Sequence, residues 1–514
     1  MTVSAYFDRD FDAMPGRALV ARWVLTATLR LETASHFGGQ GDSALDMPIL
    51  RCTRTGRPLL PGTSLGGALR AYLFDRLAGF LTDEIQKGND DSFQPTPEAD
   101  GVAMLFGAVR GLDIEKHSQS PLIVFDALGT LPADSASTEV RDGVLIESAT
   151  GIAADQKKFD FEVLPPGTAF NVRFDVLVSA DDDETELLSL LCASLEGLDN
   201  GDIRIGLRRS RGLGEVACGN LTARRYALSR PEGWLAWISS DHVSEPDPSS
   251  RLPIRDAIQS AMPNDRNLHD TPDNRKRVTI EVEASILGDL LIRSPNAQAD
   301  GPDVMHLSSG GRPILSGTSL TGVMRAHAVR ITQLVKGLSR IDAERFWIVP
   351  LFGPREERTK NPDFQPTGSR LRVSERPVTK GRSQRVTRVA IDRFTQGVVP
   401  TALFDEQPHT GGTVGLRFEL RNPHAGEVGL LLLVLKDLLT GQLPVGGTSS
   451  VGRGVLLGRR MTITGIDMDE PIQVTFDEAE ARRGRVPTSH ELDKFVQQFV
   501  QAASAVTEPE GVTP

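Results

Sequence analysis

The chain of 514 residues carries one long stretch twice. A duplication constrains the fold more tightly than composition does, because each copy must close the same kind of core. Arg57-Pro-Leu-Leu-Pro-Gly-Thr-Ser-Leu-Gly-Gly-Ala-Leu-Arg70 and Arg312-Pro-Ile-Leu-Ser-Gly-Thr-Ser-Leu-Thr-Gly-Val-Met-Arg325 agree, without a gap, at Arg, Pro, Gly, Thr, Ser, Leu, Gly and the final Arg. Downstream, Leu105-Phe-Gly107 answers Leu351-Phe-Gly353, and Ser120-Pro-Leu-Ile-Val-Phe-Asp126 answers Ser369-Arg-Leu-Arg-Val-Ser-Glu375. Ile146-Glu-Ser-Ala-Thr150 answers Ile391-Asp-Arg-Phe-Thr395, and Ser210-Arg-Gly-Leu-Gly214 answers Ser450-Val-Gly-Arg-Gly454. Five landmarks recur in one order, at offsets of 240–255 residues. Chance does not do this.

Length agrees, since two domains of roughly 200–250 residues suit the chain better than one. The boundaries expected are 1–240 for the first copy, 241–275 for a linker rich in Pro, Asp, Ser and Asn, 276–470 for the second copy, and 471–514 for a C-terminal helix and tail. Each copy opens on an alternating strand: Trp23, Leu25, Ala27, Leu29 and Leu31 share one face in the first, and Val278, Ile280, Val282, Ala284 and Ile286 in the second. After the Gly-Thr-Ser turn, Leu65, Ala68, Leu69, Tyr72 and Leu73 repeat at helical spacing. Further strands (122–125, 170–176, 413–420) and second helices at 186–195 and 427–439 complete the pattern. The class is α+β: an antiparallel sheet with helices on one face, in the ferredoxin-like manner.

The apolar run Val428-Gly-Leu-Leu-Leu-Leu-Val434 is far short of the ~20 residues a membrane span needs. The first residues lack the basic start and apolar core of a signal peptide. Cys52, Cys192 and Cys218 are too scattered for a disulfide framework or a zinc site. A cytoplasmic location and no membrane partner are expected.

A net charge of -11 speaks against a protein that is basic all over. Residues 370–393 nevertheless hold eight basic residues, Arg382, Arg385 and Arg388 among them, against Glu375 and Asp392. Thr63 or Ser64 can cap the helix that follows them, and the same free amides form an anion site; Thr318 and Ser319 repeat this in copy two. Arg70 and Arg325 lie about two turns into those helices. The second glycine-rich loops, Gly206-Leu-Arg-Arg-Ser-Arg-Gly-Leu-Gly214 and Gly446-Gly-Thr-Ser-Ser-Val-Gly-Arg-Gly454, interleave Arg208, Arg209, Arg211 and Arg453 with glycines. Neither is a Walker loop, since no Gly-Lys-Ser/Thr follows. Singly, a cap and a tight hairpin explain these loops. Both loop types in both copies point to phosphate-backbone binding. With aromatic residues at only 5%, base stacking is scarce, which favours a grip on sugar-phosphate.

The combined pattern resembles the RAMP superfamily of CRISPR systems, and within it the backbone subunits of type III effector complexes. The motifs that carry the likeness are Leu31-Glu-Thr-Ala-Ser-His36-Phe-Gly38, Leu45-Asp46-Met-Pro-Ile, Pro61-Gly62-Thr-Ser-Leu65, Phe125-Asp126-Ala127 and Ser210-Arg-Gly-Leu-Gly214. Two copies in one chain are similar to the fused subunits of type III-D-like complexes. The resemblance implies tandem RRM-like RAMP domains with inserted hairpins. It implies as partners a guide RNA, a target RNA, and other subunits, including a large polymerase-like one. His36, Gly62 and Gly317, with the loop residues and arginines above, are the RNA-binding set it suggests. Asp46 is implied as the residue that cleaves target RNA and as the metal residue, positioning a divalent ion (Mg²⁺ by expectation), water or hydroxyl for attack of a ribose 2′-hydroxyl. Asp303, in Gly301-Pro-Asp-Val-Met-His306, is the nearest match in copy two. Its spacing to the Gly-Arg-Pro turn is two residues shorter, and Gly288-Asp-Leu-Leu-Ile292 lacks the His-Phe-Gly element. Both copies lack the family's Lys after Ser-Leu, carrying Gly66 and Thr321. Two other roles stay open: an inert structural subunit, and a nuclease that processes precursor guide RNA through His36.

Overall fold

The computed structural model describes residues 18–39, 45–80, 97–107, 119–134, 137–146, 153–240, 252–295, 301–354, 368–465, 468, 470–487 and 489–502. The first copy runs β1 (Leu19–Leu31), β2 (Leu59–Leu60), α1 (Gly62–Ala78), α2 (Pro97–Phe106), β3 (Leu122–Val124), β4 (Ala127–Thr130), β5 (Glu139–Ile146), β6 (Ala153–Val163), β7 (Ala169–Ser179), α3 (Glu184–Asp199) and β8 (Val216–Ala227). Its sheet has the order β2-β4-β7-β1-β8, with β3 also on β7 and every pairing antiparallel. Helices follow the first and third main strands and cover one face. This is the ferredoxin-like arrangement.

The second copy repeats it with β9 (Arg277–Leu287), β10 (Asp289–Leu290), β11 (Arg293–Pro295), β12 (Val304–His306), β13 (Ser308–Ser309), β14 (Arg312–Leu315), α6 (Gly317–Lys336), β15 (Leu371–Val373), β16 (Arg376–Thr379), β17 (Arg382–Ser383), β18 (Val386–Ile391), β19 (Val398–Gln407), β20 (His409–Thr410), β21 (Thr413–Arg421), α7 (Glu427–Leu439), β22 (Val455–Gly465) and β23 (Ile472–Thr475). Its main sheet is β13-β14-β16-β21-β9-β22-β23, again with the short β15 on β21. In each copy a long hairpin, β5–β6 or β18–β19, leaves the body between the second and third main strands.

The alternating strands pack as their sequences require. Trp23, Leu25, Ala27 and Leu29 are fully buried against Leu65, Leu69 and Leu73 of α1 and Leu187, Leu190 and Leu191 of α3. A truncation such as Leu69→Ala in this layer costs about 2–5 kcal/mol. The indole N–H of Trp23 donates to Glu184 Oε1 at 2.6 Å, and Arg225 and Arg266 neutralise that carboxylate.

Between the copies lie α4 (Pro231–Ile238) and α5 (Ile254–Ala261). The expected linker is partly structured: Ile254, Ala257 and Ile258 of α5 join the first core. Its residues 241–251, the landmark residues 147–150 and the tail at 506–514 lie outside the described residues. The C-terminal helix is α8 (His490–Gln501), whose Phe499 packs on Trp347 of the second core.

Candidate nucleic-acid interface and carboxylate sites

Several repeated landmarks prove to be joinery. Ser120 Oγ donates to the carbonyls of Leu105 (3.2 Å) and Leu122 (2.8 Å), and Ser369 Oγ donates to those of Leu351 (2.9 Å) and Leu371 (2.7 Å). Arg70 reaches the Gly107 carbonyl at 3.5 Å, while Arg325, 5% exposed, takes the Gly353 carbonyl and Glu344. Arg325 is sealed by these contacts and is not the free phosphate ligand expected of it, whereas Arg70 is half-buried and makes, among the described residues, only the one long contact.

The capping expectation is also revised. Thr63 and Ser64 sit inside the first turn of α1 with exposed side chains, and the cap position is Pro61. The Gly62 amide is taken by Asp126 Oδ1 at 2.7 Å. In copy two the cap is Ser316, whose Oγ accepts from the Ser319 amide at 3.2 Å; Thr318 and Ser319 are half-buried beside it. Glycine is required at this corner for contact rather than for φ. A side chain at Gly62 would meet the Val124 carbonyl, and one at Gly317 would meet those of Val373 and Arg211.

That Arg211 belongs to the other copy. The loop of copy one, with its 3₁₀ turn Arg209–Arg211, lies across the start of α6 and the end of β15, where Gly212 packs on the Glu375 backbone. Around it, Arg204 donates to Ser374 Oγ (2.7 Å), and Glu215 takes both Ser374 (2.6 Å) and Arg376 (2.8 Å). The β5–β6 hairpin closes the same seam: Arg141 pairs with Glu375, and Glu139 accepts from Ser309 Oγ (2.9 Å) and the Gly310 amide (2.6 Å).

At this seam the arginines accumulate. The Arg208 guanidinium lies 4.9 Å from the Phe159 ring centroid and 4.4 Å from that of Phe161, in left-handed backbone at φ 58°. Burial, with Arg211 and Arg141 nearby, lowers its pKa to about 10. Partial desolvation and the Arg325 charge lower that of Arg211, which remains exposed. Among the described residues, Arg208 and Arg211 have no carboxylate partner, while the charge of Arg209 acts on Asp75. Charges that repel one another without a counterion form a receptor for an anion.

Copy two's loop differs. Thr448 and Val451 replace Arg208 and Arg211, and Arg453, 4% exposed, is sealed against Glu406 at 2.6 Å. Arg453 therefore leaves the RNA-binding set. Most of the basic run is neutralised as well. Arg370 pairs with Glu427, Arg372 with Glu419, Arg376 with Glu215, Arg385 with Asp405 and Arg388 with Glu406. Lys380, Arg382 and Arg393 remain unpaired among the described residues.

His36 is buried, and its Nδ1–H donates to the Glu162 carbonyl at 2.7 Å. It pins the base of β6 instead of facing a ligand. On their uncovered face the central strands carry Val24, Thr26 and Thr28 in β1 and Thr279, Glu281 and Glu283 in β9. Rings enter at the end of β1, where the Arg22 guanidinium lies 3.9 Å from the Trp237 ring centroid, beside Tyr226.

Asp46 is exposed at the foot of the first hairpin. Its Oδ2 accepts the Asp160 amide at 3.0 Å, and the next residue, Met47, bridges Phe161 in parallel. Asp303 does the same: its Oδ2 accepts the Asp405 amide at 2.8 Å, and the next residue, Val304, pairs in parallel with Glu406. Four residues beyond each aspartate, Leu50 donates to the Phe37 carbonyl (2.7 Å) and Leu307 to that of Ile292 (2.8 Å). The two-residue deletion thus lies in the hairpin tip beyond and does not move the carboxylate. Asp160 and Asp405 carry no local signal in the sequence; they emerge only from the strand register.

Among the described residues no group of three or more His, Cys, Asp or Glu could hold a metal ion, and no helix is long and apolar enough to cross a membrane. A search of the curated proteins finds no match. The model of the RAMP superfamily matches residues 28–217 and 303–456, one segment on each copy. Together these make up more than half of the chain, which belongs to the RAMP superfamily as a tandem of two RAMP domains.

Proposed function

We propose that this protein is a guide-RNA-binding backbone subunit of a type III CRISPR ribonucleoprotein, and that it cleaves guide-paired target RNA at Asp46 and Asp303. Membership of the superfamily supports a CRISPR-associated, RNA-binding role. The observation that carries the RNA grip is the seam, where Arg208 and Arg211 converge on a glycine-rich loop with no carboxylate partner among the described residues. The uncovered stretches Val24–Thr28 of β1 and Thr279–Glu283 of β9 carry no ring of their own, which favours a grip on phosphates that leaves bases free to pair.

The cleavage reading rests on the shared geometry of Asp46 and Asp303. The ribose 2′-hydroxyl attacks phosphorus, the P–O5′ bond breaks with the 5′-oxygen taking a proton from water, and a 2′,3′-cyclic phosphate remains. Each aspartate would orient that hydroxyl and receive its proton directly or through water. A divalent ion, when bound, supplies charge neutralisation; with so few protein donors, RNA phosphates and water would complete its shell. One observation favours the inert reading instead: each carboxylate already accepts a main-chain N–H. The processing reading loses its base, because His36 is buried.

Single-stranded RNA affinity measured against salt tests the grip. Each phosphate contact on a single strand contributes about -0.7 to the slope of log K against log salt. Arg208→Ala with Arg211→Ala should flatten the slope by roughly 1.4 and weaken binding to all sequences alike. Salt-independent binding, or an unchanged double variant, contradicts the proposal.

A further inference from the structure

The two carboxylate sites share their amide contact but differ in what holds the aspartate itself. In copy one the clamp is reciprocal: the Asp46 amide donates to Asp160 Oδ1 at 2.8 Å, while the Asp160 amide donates to Asp46 Oδ2 at 3.0 Å. Two residues 114 positions apart are locked by two bonds, each from the main-chain amide of one to the carboxylate of the other. The parallel contact there is the single bridge Met47–Phe161, supported by the Glu162 amide on the Met47 carbonyl at 2.9 Å.

In copy two the Asp405 amide still donates to Asp303. The Asp405 carboxylate, however, turns to the Arg385 guanidinium, with Nε at 3.0 Å, and returns nothing to the Asp303 main chain. A longer parallel contact serves there instead: Val304 pairs with Glu406 and Met305 with Gln407.

We infer that Asp160 is a positioning residue for Asp46, and that Asp405 has no such role for Asp303. The inference rests on the cleavage reading above. Asp160 acts as a hydrogen-bond acceptor, so its oxygen matters and its charge does not. Asn keeps that oxygen; Ala removes it.

The test uses the guide-loaded complex with a labelled target, following each cut separately at saturating target. Misplacing a reacting group by about 1 Å costs on the order of 10²-fold in rate. Asp160→Ala should slow the Asp46-dependent cut about 10–100-fold with target affinity unchanged. Asp160→Asn should stay close to wild type, and Asp405→Ala should leave the Asp303-dependent cut intact. Hydrogen exchange reports on the clamp without any cleavage: the Asp46 amide should lose protection in Asp160→Ala and keep it in Asp160→Asn. A wild-type complex that makes no cut removes the cleavage reading, and the exchange experiment then decides the clamp alone. A wild-type rate in Asp160→Ala, or equal loss in Asp160→Asn and Asp160→Ala, overturns the positioning role.

Discussion

Arg141 of the first copy meets Glu375 of the second in a buried, two-pronged ion pair, with Nη1 at 2.7 Å from Oε2 and Nη2 at 2.9 Å from Oε1. The partners are 234 residues apart and lie on the β5–β6 hairpin of one RAMP domain and the β15–β16 turn of the other. Burial works against the Arg141 charge, yet Glu375 and then Glu139 raise its pKa overall. The pair is thus a joint between the copies.

Removing one partner strands the other charge in the seam. Arg141→Ala should destabilise the junction by about 3–5 kcal/mol, whereas Arg141→Met with Glu375→Leu should come close to wild type. Chemical denaturation followed by a probe in each copy checks this. An unchanged midpoint for Arg141→Ala would mean that the joint is not held by this pair.

Arg453 and Arg208 occupy glycine-rich loops of the same type but should respond in opposite ways. Arg453→Ala leaves Glu406 buried beside Arg388 alone and should lower the melting temperature with little change in RNA affinity. Arg208→Ala, which removes a cation with no carboxylate partner, should weaken RNA binding and leave melting nearly unchanged. Thermal melting and RNA titration on both variants separate the roles.

His306 contributes to the acid sensitivity of copy two. Burial, reinforced by His409, lowers its pKa to about 4, and its Nδ1 accepts the Ile292 amide at 3.1 Å. Between the unfolded value near 6.5 and about 4, the unfolded chain takes up a proton that the native state refuses. Stability is therefore fully present above that window and falls as pH drops through it, by up to about 3 kcal/mol. Copy one has Ile49 at the matching position, one residue before the shared Leu contact. His306→Ile should abolish this part of the pH slope in denaturation experiments from pH 7 to pH 4.

How much of this was legible beforehand follows from what kind of contact each residue makes. The strands and helices were readable because Trp23 to Leu31 and Leu65 to Leu73 keep clean periods, and the duplication supplied each reading twice. The tasks of the repeated residues were not. Arg325, Arg370, Arg388 and Arg453 look like free charge until partners on other elements are placed, and sequence reports charge without its counterion. Asp303 looked displaced because its distance was measured to the Gly-Arg-Pro turn. Measured to Leu307, it matches Asp46 and Leu50. Gly62 and Gly317 were recognisable as special, but the reason needed the packed structure: the Val124 carbonyl of the same copy lies against Gly62, and the Val373 and Arg211 carbonyls lie against Gly317.

The most direct test of the account is the cleavage ladder of the guide-loaded complex on one labelled target RNA, with divalent ions present. Wild type should make two cuts at a fixed offset, because Asp46 and Asp303 hold equivalent places in two copies of one domain. Asp46→Ala should erase one cut, Asp303→Ala the other, and the double variant both, with guide loading and target pairing intact. Chelation of divalent ions should erase both cuts in wild type. A ladder left unchanged by Asp46→Ala and Asp303→Ala at saturating target would contradict the catalytic claim and leave an RNA-gripping structural subunit.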